Sequence, residues 1–224
     1  MNQNLTEIVV VLDESSSMGP VREATIEGFN TFVDAQRIQP GECRLTLQKF
    51  NTAVPEPTFV SQDVKTAPVL GGFNYWPNGM TALYDAIGTS IDALGKRLAL
   101  LPEHQRPGKV VFVIQTDGQE NVSRLYDLTK ISSMIEHQKS VYSWDFMFIG
   151  SAKDLDVAAV ALSLGINDKS TISYNKGLQG TTNVFMAAAN YVNTARSVGS
   201  ANASFSVQDR TDALAEDVAS TFTP

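Results

Sequence analysis

Three short segments of the sequence carry side-chain oxygens of the kind that bind hard divalent cations. Asp13, Ser15 and Ser17 directly follow an apolar run, Thr81 precedes a segment with helical periodicity, and Asp117 follows a second apolar run. Carboxylates and hydroxyls are ligands of Mg²⁺, Mn²⁺ and Ca²⁺, and these segments offer no soft ligand that favours zinc or copper. If the fold brings the five side chains together, they predict one divalent-cation site.

Each segment taken alone also has an ordinary structural interpretation. Ser is a common helix cap, so Ser15 and Ser17 can cap one helix and Thr81 can cap the next. Asp117-Gly118 is by itself a typical turn dipeptide. The three segments occur together, however, after two predicted strands and before a predicted helix, and this combination favours the metal site over the separate caps and turn.

The elements that position these residues follow from hydrophobic periodicity. A short, wholly apolar run such as Ile8 to Leu12 is typical of a strand covered on both faces, and spacings of three to four indicate helices. The predicted strands are residues 8–12, 44–50, 58–60, 109–116, 141–149 and 170–174, and the predicted helices are residues 20–36, 81–101, 126–138, 155–162 and 184–195. This alternation predicts an α/β fold, a doubly wound and mostly parallel central sheet with an antiparallel edge strand.

The order of these elements indicates where the site lies. In open parallel sheets, ligands bind beyond the carboxyl ends of the strands at the point where the winding reverses. If the first strand and the strand ending at Thr116 flank that point, Asp13 and Asp117 face each other across the crevice. Residues 61–79 lack periodicity and contain several Gly and Pro, so they predict a long loop, and loops of this length are usually functional or mobile.

The composition changes near Arg196. Residues 1–196 are predicted to form one domain, and residues 197–224 a polar C-terminal tail, extended or loosely docked, with few large apolar side chains to offset chain entropy. Leu214, Val218 and Phe222 recur at intervals of four, which leaves a docked terminal helix open.

Charge and cysteine content narrow the class of protein. The formal net charge of -7 argues against broad binding to nucleic acid or to an anionic membrane, because both need a basic surface. Cys43 is the single cysteine, so the chain forms no internal disulfide. The first apolar run is too short for a signal peptide or a membrane span, and we expect a cytoplasmic protein.

Catalytic motifs are missing from the sequence. His104 and His137 are the only histidines, neither lies in a hydrolase or metalloprotease motif, and no phosphate-binding glycine loop occurs. Phosphotransferases of the haloacid dehalogenase type need a second acid where this chain has Ser15, and receiver domains need a Lys after the fifth strand. We therefore predict no catalytic residue, no organic cofactor and no enzyme, with a metal-dependent phosphotransferase or hydrolase as the least favoured alternative.

The three segments resemble a known family motif. Asp13-x-Ser15-x-Ser17, Gly79-Met-Thr-Ala-Leu-Tyr-Asp-Ala86 and Thr116-Asp-Gly118 are similar to the three loops of the metal-ion-dependent adhesion site (MIDAS) in von Willebrand factor type A (vWA) domains, and the resemblance covers about residues 5–196. It implies that the hydroxyls of Ser15, Ser17 and Thr81 bind Mg²⁺, or alternatively Mn²⁺ or Ca²⁺, directly, with Asp13 and Asp117 nearby and often bound through water. One coordination position is then filled by a partner's Asp or Glu.

The resemblance implies a protein-binding module, similar to the small stand-alone vWA proteins of bacteria and phages. Its partner is expected to be a protein that offers an acidic residue, such as an AAA+ ATPase or a phage structural protein, with a virion location if the chain is phage-encoded. The alternative is a structural or assembly protein in which the metal only stabilises the loops. Phe73, Tyr75 and Trp76 in the long loop are candidate interface anchors, and core packing is the equal alternative for them.

Overall fold

Six strands form one sheet in the computed structural model, which describes residues 1–217. The strands are β1 (Asn2–Asp13), β2 (Glu42–Phe50), β3 (Phe59–Asp63), β4 (Pro107–Thr116), β5 (Asp145–Ser151) and β6 (Thr171–Tyr174), and the α-helices are α1 (Arg22–Arg37), α2 (Leu83–Ala99), α3 (Leu128–Tyr142), α4 (Val157–Ser163), α5 (Leu178–Val198) and α6 (Val207–Ala213). The strand order is β3-β2-β1-β4-β5-β6; only β3 is antiparallel to its neighbour. The predicted mostly parallel sheet with an antiparallel edge strand is confirmed.

The central strand β1 is apolar at successive positions because helices cover both faces of the sheet. Ile8 and Val10 point into the core shared with α1 and α5, whereas Val9 and Val11 point into the core shared with α2 and α3. All four side chains are buried. A strand with one solvated face would alternate apolar and polar residues, so the unbroken apolar run reflects this two-sided burial.

Helices α1 and α5 approach closely where α1 has a glycine. A Cβ atom on Gly28 would lie only 2.4 Å from the ring of Phe185 in α5, far inside van der Waals contact. Gly28 therefore allows the Phe185 ring to pack directly against the α1 backbone, and any larger residue at this position would clash with the ring.

The boundary between α3 and β5 differs from the prediction. The strand predicted from residue 141 is wrong at its start, because Val141 and Tyr142 form the last turn of α3 and β5 begins at Asp145. Both side chains are more than half exposed, so they do not belong to the buried strand that their apolar character suggested. Ser143 adopts a left-handed conformation with φ 56°, which ends the helix and turns the chain into β5.

The starts of α1 and α5 also differ from the prediction. Ser16–Val21 forms a 3₁₀ turn, so α1 begins at Arg22 instead of residue 20. Helix α5 begins at Leu178, ahead of the predicted residue 184. The carboxylate of Asp217 accepts hydrogen bonds from the backbone N–H groups of Leu178 and Gln179, so a residue distant in sequence satisfies the donors at the start of α5.

The described part of the C-terminal tail is folded rather than extended. Helix α6 begins with a capping box in which Ser206 and Asp209 bond each other's backbone N–H, and its last residue, Ala213, is buried against α5 and β6. Val218 and Phe222, two members of the predicted apolar repeat, lie outside the described residues. The division into residues 1–196 and 197–224 stays a prediction.

Within residues 1–217, no helix is both long enough and apolar enough to cross a membrane. The longest, α5, has 21 residues but includes Asn183, Asn190 and Asn193 along its length.

Candidate metal centre

The winding of the sheet reverses between β1 and β4, and the two predicted acidic ligands lie at that point. β1 pairs in parallel with β2 on one side and with β4 on the other. Asp13 is the last residue of β1, and Asp117 directly follows the last residue of β4. Both carboxylates are fully buried, which is the convergence expected from the order of the elements.

The carboxylate of Asp13 is held by two hydrogen bonds. Its Oδ1 accepts a 2.7 Å bond from the backbone N–H of Ser15, and its Oδ2 accepts a 2.6 Å bond from the Thr116 hydroxyl. The phenol of Tyr75 donates a 2.6 Å bond to the backbone carbonyl of Asp13. Thr116 and Tyr75, neither of which was predicted as a positioning residue, therefore fix the orientation of the end of β1.

Burial raises the pKa of Asp13 to about 6, and the nearby Asp117 charge adds to the shift. The hydrogen bonds from Thr116 and Ser15 favour the ionised form and oppose the shift, but they do not cancel it. The ionised form of Asp13 is thus costly in this buried position, and a bound cation would offset that cost.

The hydroxyl groups face the same crevice from separate segments. Ser15 Oγ and Ser17 Oγ lie 2.9 Å apart, and Ser17 Oγ donates a 2.6 Å bond to Asp117 Oδ1. A Cβ atom placed on Gly118 would lie 3.4 Å from Thr81 Oγ1 and 3.7 Å from Ser17 Oγ, so both of these hydroxyls look onto the Gly118 backbone. The structure therefore brings all five predicted residues to one place.

The capping interpretation of the hydroxyl residues is wrong. Helix α2 begins at Leu83 with Ala82 at its cap position, and no side chain caps it. Ser15 occupies the cap position of the 3₁₀ turn, but its side chain makes no capping bond there. The backbone N–H of Thr81 donates to Asn121 Oδ1 at 2.9 Å, which ties the Thr81 loop to the loop after β4.

The donor set fits a hard divalent cation. Asp117 Oδ2 is buried and accepts no hydrogen bond from the described residues, so it keeps an electron pair that a cation or its bound water could use. Within residues 1–217, no three His, Cys, Asp or Glu side chains group together as a metal site. Metal binding here would therefore depend on the serine and threonine hydroxyls as well as the two carboxylates.

A lysine that sequence reasoning missed forms an ion pair with this oxygen. Lys176 Nζ is 2.6 Å from Asp117 Oδ2 and 3.8 Å from Asp154 Oδ2. The Lys176–Asp117 pair is thus an ion pair at contact distance, and this oxygen accepts no hydrogen bond from the described residues. Asp154 follows β5 and Lys176 follows β6. Because the carboxyl ends of all the parallel strands lie at this edge of the sheet, a charged residue shortly after a predicted strand was a sequence signal for both residues.

The remaining acidic residue of the first segment is turned away from the crevice. The Glu14 carboxylate accepts hydrogen bonds from Lys49 Nζ at 2.9 Å and from the backbone N–H of Trp76 at 2.6 Å. Glu14 therefore anchors the long loop to the end of β1 and is not available as a ligand.

The long loop, residues 64–82, presents two of its three predicted anchors to solvent. Phe73 is 77% exposed and Trp76 is 61% exposed, whereas Tyr75 is fully buried and so follows the core-packing alternative. Arg22 holds this loop in place, since its guanidinium donates to the carbonyls of Tyr75 and Gly72 and stacks 4.8 Å from the Trp76 ring centre. The exposed aromatic side chains thus stand on a braced loop.

Comparison with known proteins finds similarity in structure alone. No protein-family model matches the sequence, and no curated protein sequence matches it. Solved structures that it resembles include proximal thread matrix protein 1 of the mussel byssus, with TM-score 0.58 and 14% identity over 86% of this chain and 46% of that one.

Two further structures resemble the chain. They are a vWA protein of Catenulispora acidiphila, with TM-score 0.51 and 11% identity over 83% of this chain and 42% of that one, and the manganese-loaded TRAP protein of Plasmodium vivax, with TM-score 0.50 and 13% identity over 84% of this chain and 74% of that one. The chain thus spans less than half the length of the mussel and Catenulispora proteins. At such identities the likeness shows the fold, and this chain has the Rossmann-like α/β fold of vWA domains.

Proposed function

We propose that this protein is a metal-ion-dependent protein-binding module that captures an acidic residue of a partner through a MIDAS-bound divalent cation. The observation that carries the proposal is the convergence of the two buried carboxylates and three hydroxyls at the switch point of the sheet. The manganese-loaded TRAP structure, which has the same fold, supports a divalent cation.

The burial of its residues leaves the candidate metal centre open to solvent on one side. Asp13, Ser15, Thr81 and Asp117 are buried, whereas Ser17 is exposed. Ser15, Ser17 and Thr81 would bind Mg²⁺, Mn²⁺ or Ca²⁺ directly. Asp13 and Asp117 would lie near the cation and bind it through water. Because hydroxyl ligands are neutral, the cation would keep most of its charge and attract an incoming carboxylate at the open side.

The loop that leads to Thr81 carries exposed apolar side chains, which define the partner further. Met80, directly before Thr81, is 48% exposed, and Phe73 and Trp76 are more exposed still. The backbone carbonyl of Gly79 accepts a bond from Ser16 N–H, so this rim is joined to the Ser15–Ser17 turn. A partner with a large apolar side chain near its acidic residue would bury both groups together.

The cellular setting follows from the resemblance in sequence. We propose that the chain is a vWA protein of the bacterial or phage type, located in the cytoplasm or the virion, and not an enzyme. An AAA+ ATPase or a phage structural protein is the expected partner, and nucleic acid and membrane are not.

The proposal is tested with displayed random peptides selected on the purified protein in Mn²⁺ and, separately, in EDTA. Peptides enriched in Asp or Glu next to apolar residues are expected in Mn²⁺ and absent in EDTA. Ser17→Ala should abolish the enrichment, whereas the matched change Ser16→Ala, one residue away and also exposed, should not. Equal selection with and without metal would refute the proposal.

A structural or assembly role is the second candidate, and the likeness to a byssal thread matrix protein favours it. In this case the metal stabilises the three loops without touching a partner. Chelation would then lower the melting temperature and leave assembly or partner binding intact, whereas the adhesion proposal predicts that binding is lost.

A further inference from the structure

The candidate metal centre already contains a positive charge. The Lys176 ammonium lies 2.6 Å from Asp117 Oδ2, the buried oxygen that no hydrogen bond from the described residues satisfies. The lysine side chain is only 15% exposed, and Asp117 is fully buried. This pair is therefore well shielded from solvent, unlike an ordinary surface salt bridge.

The charges around the pair leave Asp117 as the main partner of the lysine. Asp154 is the second acid near Lys176, but it is farther, at 3.8 Å, and its side chain is 41% exposed. Asp154 also accepts a 3.2 Å hydrogen bond from Ser151. Asp13 is the other carboxylate of the site, and both of its oxygens accept hydrogen bonds from neighbouring groups.

We infer that Lys176 is a built-in counterion that competes with the divalent cation for Asp117. The inference rests on the proposed function and adds its regulation: the lysine stabilises the metal-free site and lowers its metal affinity. Binding would then be set by the free metal concentration, so that partner capture responds to changes in that concentration.

The physical reason is that two cations share one buried carboxylate. Charges interact more strongly where burial lowers the effective dielectric constant, and both members of the Lys176–Asp117 pair are largely shielded from water. A divalent cation near Asp117 would be repelled by the ammonium and would receive less of the carboxylate's charge. Removing the ammonium is therefore expected to raise metal affinity by about tenfold or more, and to leave Asp117 without a counterion when metal is absent.

The test compares Mn²⁺ binding by isothermal titration calorimetry in the wild-type protein, Lys176→Met and Lys176→Arg. Methionine keeps much of the length of the side chain without its charge, so Lys176→Met should bind Mn²⁺ about tenfold tighter or more. Its melting temperature in EDTA should fall, and the gain on adding Mn²⁺ should exceed that of wild type. Lys176→Arg keeps the charge and should keep the low affinity.

Lys153→Met is the matched control, because Lys153 lies in the same loop as Asp154 and is exposed. It removes the same charge and should change the affinity less than about twofold, since exposed charges are screened. If Lys176→Met unfolds in EDTA, refolding at micromolar Mn²⁺ would support the inference and failure to refold at millimolar Mn²⁺ would overturn it. Equal or weaker binding by Lys176→Met also overturns it, whereas absence of Mn²⁺ binding in every variant would instead refute the proposed function.

Discussion

Gly118→Ala is the sharpest single test of the site, because it alters no ligand and no buried hydrogen bond. The added methyl group would lie 3.4 Å from Thr81 Oγ1 and 3.7 Å from Ser17 Oγ, which are ordinary contact distances. Gly118 does not have positive φ, so alanine fits its backbone. We expect the fold to be kept, with stability changed by about 1 kcal/mol or less.

The same methyl group would contact two of the proposed ligands. It fills space that both hydroxyls face and supplies no electron pair, so the site loses room for the cation or for a water bound to it. We expect Gly118→Ala to lose at least about 1.4 kcal/mol of the free energy of metal binding, which corresponds to a tenfold weaker affinity. The assay is calorimetric titration with Mn²⁺, together with urea denaturation in EDTA.

Gly19→Ala is the control for this substitution. Gly19 lies two residues after Ser17, no atom is near its added Cβ, and its φ is not positive. Gly19→Ala should bind Mn²⁺ like the wild-type protein. Unchanged Mn²⁺ affinity in Gly118→Ala would show that Thr81 and Ser17 do not share a cation, and the proposed site would then be wrong.

Three further predictions concern the site residues and the packing of α1 against α5. Asp13→Ala and Thr81→Ala should each lose Mg²⁺ affinity and keep a native circular dichroism spectrum; unfolding of both, with metal binding intact in any soluble fraction, would contradict this. Gly28→Ala should destabilise the protein by about 1–3 kcal/mol in urea denaturation, because its Cβ would lie 2.4 Å from the Phe185 ring, and Gly19→Ala serves as its control as well. Burial raises the pKa of Asp13 from the ordinary 3.8 to about 6 in the folded protein. Between these two values the folded state binds more protons than the unfolded state. In EDTA, the contribution of Asp13 to the free energy of unfolding should therefore fall by about 3 kcal/mol as pH rises from about 4 to 6. Asp13→Asn removes this contribution, and a stability difference from wild type that stays constant over that pH range would contradict the assignment.

The sequence predicted much of the fold, because its strongest signals are local. The unbroken apolar run at Ile8–Leu12 reports burial on both faces of a strand, and α2 repeats apolar residues at helical spacing up to its end. The signals were weaker at element ends. Val141 and Tyr142 are apolar but exposed, and only the structure shows that they form the last turn of α3.

The candidate ligands were found from the sequence because their types and order are a local pattern at strand ends. The orientation of their side chains depends on partners far away in the chain. Tyr75 reaches the Asp13 carbonyl, Asn121 holds Thr81, and Lys176 pairs with Asp117, and none of these contacts follows from spacing.

What the sequence determined by itself was therefore the type of fold, the edge of the sheet that carries the site and the oxygen donors available there. Only the tertiary structure decided which hydroxyls do not cap a helix, which aromatic side chains of the long loop are exposed, and that a lysine pairs with the carboxylate of Asp117. The physical reason is distance along the chain: residues that follow different strands have no sequence relation to one another. The folded sheet alone sets their separation and their shared low-dielectric surroundings.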